Sequence, residues 1–245
     1  MRNQIVILAA GKGTRMGQSN VPKVLVMLKN KPLILHLLGE IEKINQLAKP
    51  IIVVGYKYQE VRDVLGESYI YVIQQEQLGT GDAVKTALKK VKGENILVLY
   101  GDHPFIKAES LKDLMRLHYK NQAKVSMFTT KVQNFAGTNK PLEHFGRVVR
   151  DNNKKITKVI EYKDASLGQR KITELNPGIY MFNINWLKEN IIKIGNNNSQ
   201  NEYYLTDIIE IAISQKQKIV SLPIEPKEVL GINSKEDLAW AEKFL

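Results

Sequence analysis

The chain has no cysteine. Disulfide bridges and thiolate metal sites are therefore excluded, and a reducing, cytoplasmic setting is expected. Histidine is scarce as well. The four residues, at 36, 103, 118 and 144, show no metal-ligand spacing, and no Ser-His-Asp or Cys-His set can be composed around them. Long apolar runs are also missing. "IVILAA" near the start is too short for a secretory core, and no run approaches the roughly 18 residues that a membrane helix requires. No membrane association is expected. There is no internal repeat, low-complexity linker or break in composition to mark a domain boundary.

What remains is an ordinary globular composition, 43% hydrophobic and 25% charged over 245 residues. That length suits one large α/β domain or two small ones. Acidic side chains are the minority, 25 against 36 Lys and Arg, giving a net charge of +11. Nucleic acid is one partner for such a surplus. The basic residues, however, are scattered as pairs such as Lys89-Lys90 and Lys154-Lys155, without interleaved aromatics. A lysine-rich surface with a small anionic substrate is the expectation, and no nucleic-acid partner.

Apolar runs and amphipathic segments alternate through the first half. Strands are predicted at 4–9, 51–55, 69–73 and 95–102, and helices at 33–44, 58–66, 81–91 and 108–120. This rhythm implies a Rossmann-like α/β fold with a mostly parallel sheet covered by helices on both faces. A strand at 123–132 follows. The segment 145–165 then alternates around Asp151-Asn152 and reads as an antiparallel hairpin. A strand at 177–183, helices at 185–193 and 203–215, a strand at 218–224 and a closing helix near 235–244 complete the chain. The expectation is a single domain over 1–245. In it, 1–122 is the parallel, helix-covered part, and 123–245 an inserted antiparallel section plus closing helices.

In open α/β sheets ligands sit beyond the carboxyl ends of the strands, which gathers the loops at 9–23, 74–81 and 100–104. The first reads "LAAGKGTRMGQSNVPKVL" (8–25). It is not a Walker A loop, and Met16 stands where a Rossmann fingerprint has its third glycine. A tight strand-to-helix turn would explain the glycines alone. Gly11 and Gly13 can nevertheless bring backbone N–H groups close to phosphate. Arg15 adds a forked donor, and Lys23 a point charge on a chain stiffened by Pro22. Asp102, at the end of an apolar strand, is placed either as a hard ligand for Mg²⁺ or as a helix N-cap. Gln74 is an amide at a strand end, able both to donate and to accept, and otherwise simply a polar residue facing solvent.

These stretches together resemble the sugar-nucleotide pyrophosphorylases, and most closely the uridylyltransferase domain of the bacterial N-acetylglucosamine-1-phosphate uridylyltransferases. The resemblance rests on "LAAGKGTRM…PKVL", "QQEQLGTGDAV" (74–84), "LYGDHPFI" (99–106), "FGRVVRD" (145–151), "VIEYKDA" (159–165), "LNPGIYMFN" (175–183), "NEYYLTDII" (201–209) and "VLGINSKEDL" (229–238), in that order along the whole chain. It implies the nucleotide-diphospho-sugar transferase fold and transfer of a uridylyl group from UTP to a sugar 1-phosphate, most directly N-acetylglucosamine 1-phosphate. It also implies that Leu8, Ala9, Ala10, Gly11, Gly13 and Lys23 hold the nucleotide, with Gln74, Gly79 and Thr80 against the base. Tyr100, Gly146, Glu161 and Asn176 would read the sugar, Asp102 and Asn233 would hold Mg²⁺, and Arg15, Lys23 and Asp102 would carry catalysis.

Two departures stand out. The family's two-domain members continue into a left-handed β-helix of hexapeptide repeats with acetyltransferase activity. No such repeats occur in these 245 residues, so neither that activity nor the trimer it drives is expected. Pro177 stands where the family has threonine in "INTGI", which leaves the sugar open. Glucose 1-phosphate, or dTTP in place of UTP, is the near alternative, and a nucleotide-sugar sensor without turnover is the alternative of another class. The oligomeric state is not specified by the sequence.

Overall fold

The computed structural model describes residues 3–13 and 20–244. Strand β1 (Asn3–Ala9) is buried at every residue, as expected for a strand covered on both faces. A single 3₁₀ turn at Lys23–Leu25 leads into a small hairpin, β2 (Met27–Leu28) and β3 (Lys31–Pro32), that the sequence had not signalled. Helix α1 (Leu33–Ile41) buries Leu33, Ile34, Leu37, Leu38 and Ile41, one stripe at helical spacing. Next come β4 (Leu47–Val54), α2 (Tyr58–Leu65), β5 (Ile70–Ile73), α3 (Thr80–Ala87), β6 (Asn95–Tyr100), α4 (Ala108–Asn121) and β7 (Val125–Lys131).

The second half supplies β8 (Gly146–Arg150), β9 (Ile156–Ile160), β10 (Glu174–Asn176), β11 (Tyr180–Asn183), α5 (Ile184–Asn190), α6 (Ile208–Ser214), β12 (Ile219–Pro223) and α7 (Lys235–Ala241). Apart from the β2–β3 hairpin, the strands form one sheet in the order β5-β4-β1-β6-β11-β7-β10-β8-β9, with β12 also paired to β7. β5, β4, β1 and β6 are parallel, whereas β11 runs antiparallel to both β6 and β7. β10, β8 and β9 make the antiparallel section.

Alternate residues of β1 enter opposite cores. Ile5, Ile7 and Ala9 pack with α1, α2 and α4, and Val6 and Leu8 pack with α3, α5 and α6. The fold is thus the mostly parallel, helix-covered α/β sheet with an antiparallel insertion.

Three predicted elements differ in detail. The strand expected at 177–183 begins only at Tyr180, because Pro177 has no N–H and Gly178 takes φ +76°, and a separate short strand, β10, precedes them. The helix expected at 203–215 begins later, with a 3₁₀ turn at Leu205–Asp207. The Tyr203 backbone is engaged instead by the 78–81 loop, through Tyr203 N to Leu78 O at 2.8 Å and Gly81 N to Tyr203 O at 2.7 Å. Strand β6 ends at Tyr100 rather than 102. Gly101 turns there against the 23–25 segment, where a Cβ would stand 2.8 Å from Val24 Cγ1.

Candidate active site

A cavity of about 240 Å³ opens at the carboxyl edge of β1, β5 and β6. It is lined by Leu8, Ala9, Ala10 and Gly11 from the first loop, Lys23 from the 3₁₀ turn, Gln74, Gly79 and Thr80 from the second loop, and Tyr100 and Asp102 from the third. Val24, Gln77, Ala83 and Glu202 also line it, and the sequence reading had not singled them out. Arg15 lies outside the described residues.

The two glycines of the first loop do different work. A Cβ at Gly11 would meet nothing within 4 Å among the described residues, so that glycine leaves room at the cavity. Gly13 does not line the cavity. Its φ is +67°, and a Cβ there would stand 2.9 Å from Lys23 Cβ, so it presses the loop onto the stem of Lys23. Lys23 is set by the turn behind it, in which Pro22 O accepts from Leu25 N at 2.9 Å.

The Lys23 ammonium pairs with Asp102 Oδ2 and donates to Asn233 Oδ1 at 2.7 Å. Asn233 reaches this point because Ile232 N donates to Asp102 O at 3.0 Å, tying the C-terminal segment to the third loop. The capping box of α7 fixes the next step. Asp237 Oδ2 accepts from Asn233 N at 2.9 Å and Ser234 N at 3.0 Å, and Ser234 Oγ accepts from Asp237 N at 3.1 Å. Burial pushes the Asp102 carboxyl up, but the Lys23 charge beside it prevails and holds it below the ordinary carboxylate range. Asp102 is not used as a helix N-cap; α4 starts only at Ala108, behind Lys107.

Two hard oxygens converging on one cationic nitrogen also fit a divalent cation. Among the described residues no group of three or more carboxylates and histidines is gathered for a metal. An ion here would take its remaining ligands from phosphate and water, a usual Mg²⁺ arrangement. His103 is not part of this set. Burial keeps its imidazole below the usual histidine range. Its ring packs under Gly231, where a Cβ would stand 3.0 Å from Nε2, and its Nδ1 has no partner among the described residues.

Gln74 is buried rather than solvent-facing. Its amide nitrogen donates to Gly79 O at 3.1 Å and Asp82 Oδ2 at 2.8 Å, which stiffens the second loop. Gly79 has φ +112°, and a Cβ would stand 2.6 Å from Tyr203 O, so only glycine admits the 201–206 segment this close. Thr80 Oγ1 accepts from Leu205 N at 3.0 Å and lies beside the Tyr100 phenol.

Gly146, Glu161 and Asn176 do not line this cavity; they form a second cluster beyond Tyr100. Gly146 and Asn176 are partners in the β8–β10 ladder. Asn176 Nδ2 donates to the Tyr180 phenol at 2.6 Å, and Thr206 Oγ1 donates to Glu161 Oε1. Burial pushes the carboxyl of Glu161 up. Tyr100 joins the two halves. Its ring lies against Gly178, where a Cβ would stand 2.8 Å from Cε2, and burial pushes its phenol well above the ordinary range. Tyr180 and Thr206 were missed from sequence. They stand inside "LNPGIYMFN" and "NEYYLTDII", but nothing local distinguishes them from core and cap residues.

The MobA-like NTP transferase domain family matches residues 5–171. Over the full chain the sequence is 40% identical to the bifunctional protein GlmU of Caldicellulosiruptor saccharolyticus, covering 52% of that protein. It is 40% identical to GlmU of Desulfotalea psychrophila over 98% of the chain and 70% of that protein. With GlmU of Francisella tularensis subsp. novicida it shares 42% over 98% of the chain and 50% of that protein. The chain thus spans about half the length of most of these relatives. In fold it is similar to a UDP-glucose pyrophosphorylase complexed with UDP-glucose. The TM-score is 0.82 at 19% identity, covering 100% of this chain and 98% of that one. It is also similar to a CMP:2-keto-3-deoxy-manno-octonic acid synthetase complexed with CTP, with TM-score 0.69 at 16% identity over 100% and 98%.

Proposed function

From the premise that this chain belongs to the MobA-like NTP transferase family, we propose that it joins UTP to a sugar 1-phosphate, N-acetylglucosamine 1-phosphate foremost, and releases pyrophosphate. The observation that carries this reading is the convergence of Lys23, Asp102 and Asn233 on one point beside a glycine-floored cavity. The names of the full-length relatives agree with it. The 245 residues act as one cytoplasmic nucleotidyltransferase unit, with residues 1–122 for the nucleotide and 123–245 for the sugar and the closing helices.

A sugar 1-phosphate loses its second proton near pH 6, so its oxygen is an anion at neutral pH and needs no general base. That oxygen forms a bond to the α-phosphorus of UTP, and the bond from that phosphorus to the bridging oxygen breaks in line, sending its electron pair out with pyrophosphate. The barrier lies in bringing two anions together and in the charge of the pentavalent phosphorus. Lys23 supplies an ammonium at that point, and the backbone at Leu8–Gly11 cradles the phosphates. Mg²⁺, held by Asp102 and Asn233 with phosphate oxygens, supplies further charge neutralisation when bound. Arg15 belongs to the departing pyrophosphate. Gln74, Gly79 and Thr80 face the uracil, and Tyr100, Gly146, Glu161 and Asn176 face the sugar.

The test is pyrophosphate release from UTP, Mg²⁺ and N-acetylglucosamine 1-phosphate, with glucose 1-phosphate and dTTP in parallel reactions. Release with the N-acetylated sugar preferred supports the reading. Preference for another sugar keeps the chemistry and reassigns the substrate, with Pro177 the residue to examine first. Nucleotide binding with no release from any sugar would leave a sensor instead.

A further inference from the structure

Tyr180 is fully buried, and its ring packs against Phe182 with centroids 5.5 Å apart. Packing alone would be served by phenylalanine, and a buried hydroxyl costs free energy unless it is paired. Its partners therefore identify what the hydroxyl is for. Gly178 N donates to Asn176 Oδ1 at 3.1 Å, and because a backbone N–H can only donate, this contact fixes which end of the Asn176 amide faces Tyr180. The Nδ2 end then donates to the phenol oxygen at 2.6 Å. The phenol lies beside the Thr206 hydroxyl, and Thr206 donates to Glu161 Oε1. An amide nitrogen only donates and a carboxylate only accepts, so the chain has one direction: Asn176 to Tyr180 to Thr206 to Glu161.

We propose that Tyr180 is a positioning residue for the sugar half of the site, fixing the Glu161 carboxylate and the Asn176 amide relative to each other through Thr206. This rests on the reading that Glu161 and Asn176 face the sugar 1-phosphate. The β10–β8–β9 ladder sets the backbone register, with Asn176 facing Gly146 and Ile160 facing Arg147, and the side-chain contacts tie β11 and the segment before α6 to it. It leaves one N–H of Asn176 and, among the described residues, Oε2 of Glu161 without an internal partner. A sugar ring therefore meets a donor and an acceptor already placed, and the entropy of arranging them is not lost on binding. The nucleotide half hangs on different supports, Gln74 with Asp82 and Thr80 with Leu205. Loss of the phenol is expected to leave those untouched.

The experiment compares the wild-type chain with Tyr180→Phe, Thr206→Val and the double variant, reading KM for each substrate, kcat, and melting temperature. For Tyr180→Phe the KM for the sugar 1-phosphate is expected to rise about tenfold, with kcat and the UTP KM within about threefold. Thr206→Val should give the same split, Thr206→Ser should restore wild-type behaviour, and the double variant should be no worse than the worse single variant. Calorimetry should show weaker binding of UDP-N-acetylglucosamine and unchanged binding of UTP. An unchanged sugar KM, an equal rise for both substrates, or additive losses in the double variant would overturn the proposal. Should Tyr180→Phe not fold, the Thr206 pair decides it alone. Absence of pyrophosphate release by the wild type with any sugar 1-phosphate is a separate result that overturns the functional reading, and the positioning role with it.

Discussion

The Lys23 ammonium lies 2.7 Å from Asn233 Oδ1, 210 residues away in sequence, while it also pairs with Asp102. One cation thus neutralises the carboxylate at the point where two protein oxygens would hold a divalent ion. Under the proposed function, ammonium and metal would compete for the same two oxygens, and phosphates arriving in the cavity would give the ammonium somewhere else to go.

Lys23→Ala is therefore expected to act in opposite directions on two measurements. Turnover should fall by about 10²–10³, the usual loss when one preorganised donor is removed. Without nucleotide, the same variant should bind Mn²⁺ more tightly than wild type, read by electron paramagnetic resonance of the free ion. Weaker or equal Mn²⁺ binding would show that the ammonium does not occupy the position of the ion.

The glycines of the first loop separate ligand effects from fold effects. Gly11→Ala adds a methyl where no described residue lies within 4 Å, so the melting temperature should be unchanged while UTP binding weakens about tenfold or more. Gly13→Ala forces a side chain into φ +67° and against Lys23 Cβ, at a cost of about 1–3 kcal/mol. Calorimetric melting beside UTP titration checks both. A destabilised Gly11→Ala with normal UTP affinity would remove the phosphate assignment from this loop.

The parallel half of the fold was legible because its strands and helices carry their periodicity locally: the uniformly buried β1 and the stripe on α1 need no partner to be recognised. The first-loop residues were legible because glycine and lysine at the end of an apolar strand are unusual. Asn233 was reached only through resemblance. Its placement depends on Ile232 N meeting Asp102 O, a contact between the middle and the end of the chain that no local pattern encodes. The departures share that cause. Tyr203 and Tyr204 have helical neighbours, yet the 78–81 loop claims the Tyr203 backbone and delays the helix. Tyr180 and Thr206 read as core and cap, because the network that gives them meaning is tertiary.

His118 should make the protein lose stability in mild acid. Burial between Ser126 Oγ, at 2.7 Å, and Asn95 Oδ1, at 3.1 Å, drops its pKa from the ordinary 6.5 to about 4. A neutral imidazole in the folded state and a protonated one in the unfolded chain mean that the unfolded chain binds more protons between these values. The stabilising contribution is complete above pH 6.5 and is lost as pH falls toward 4. Urea midpoints of the wild type should drop across that window, and His118→Gln should flatten the drop. An equal slope in both would assign the acid sensitivity elsewhere.

Asp207 works in the other direction across much of the same range. Burial, then the nearby charges of Glu210, Glu161 and Asp164, raises its carboxyl to about 6. The folded protein therefore binds more protons than the unfolded chain between the ordinary 3.8 and about 6, and stability falls as pH rises through that interval. Above it, the ionised carboxylate is a standing cost, which solvent access limits to on the order of 1 kcal/mol. Asp207→Asn removes the charge while keeping the shape. It should raise the urea midpoint at pH 7.5, where Asp207 is ionised, and leave it nearly unchanged below about pH 3, where both states carry the proton. The gain at neutral pH should shrink, though not vanish, when Glu161 and Glu210 are both neutralised, because their charges add to the cost that burial imposes on Asp207. A variant less stable than wild type at pH 7.5 would mean that the carboxylate is held by a favourable contact, and the charge cluster around α6 would then need another account.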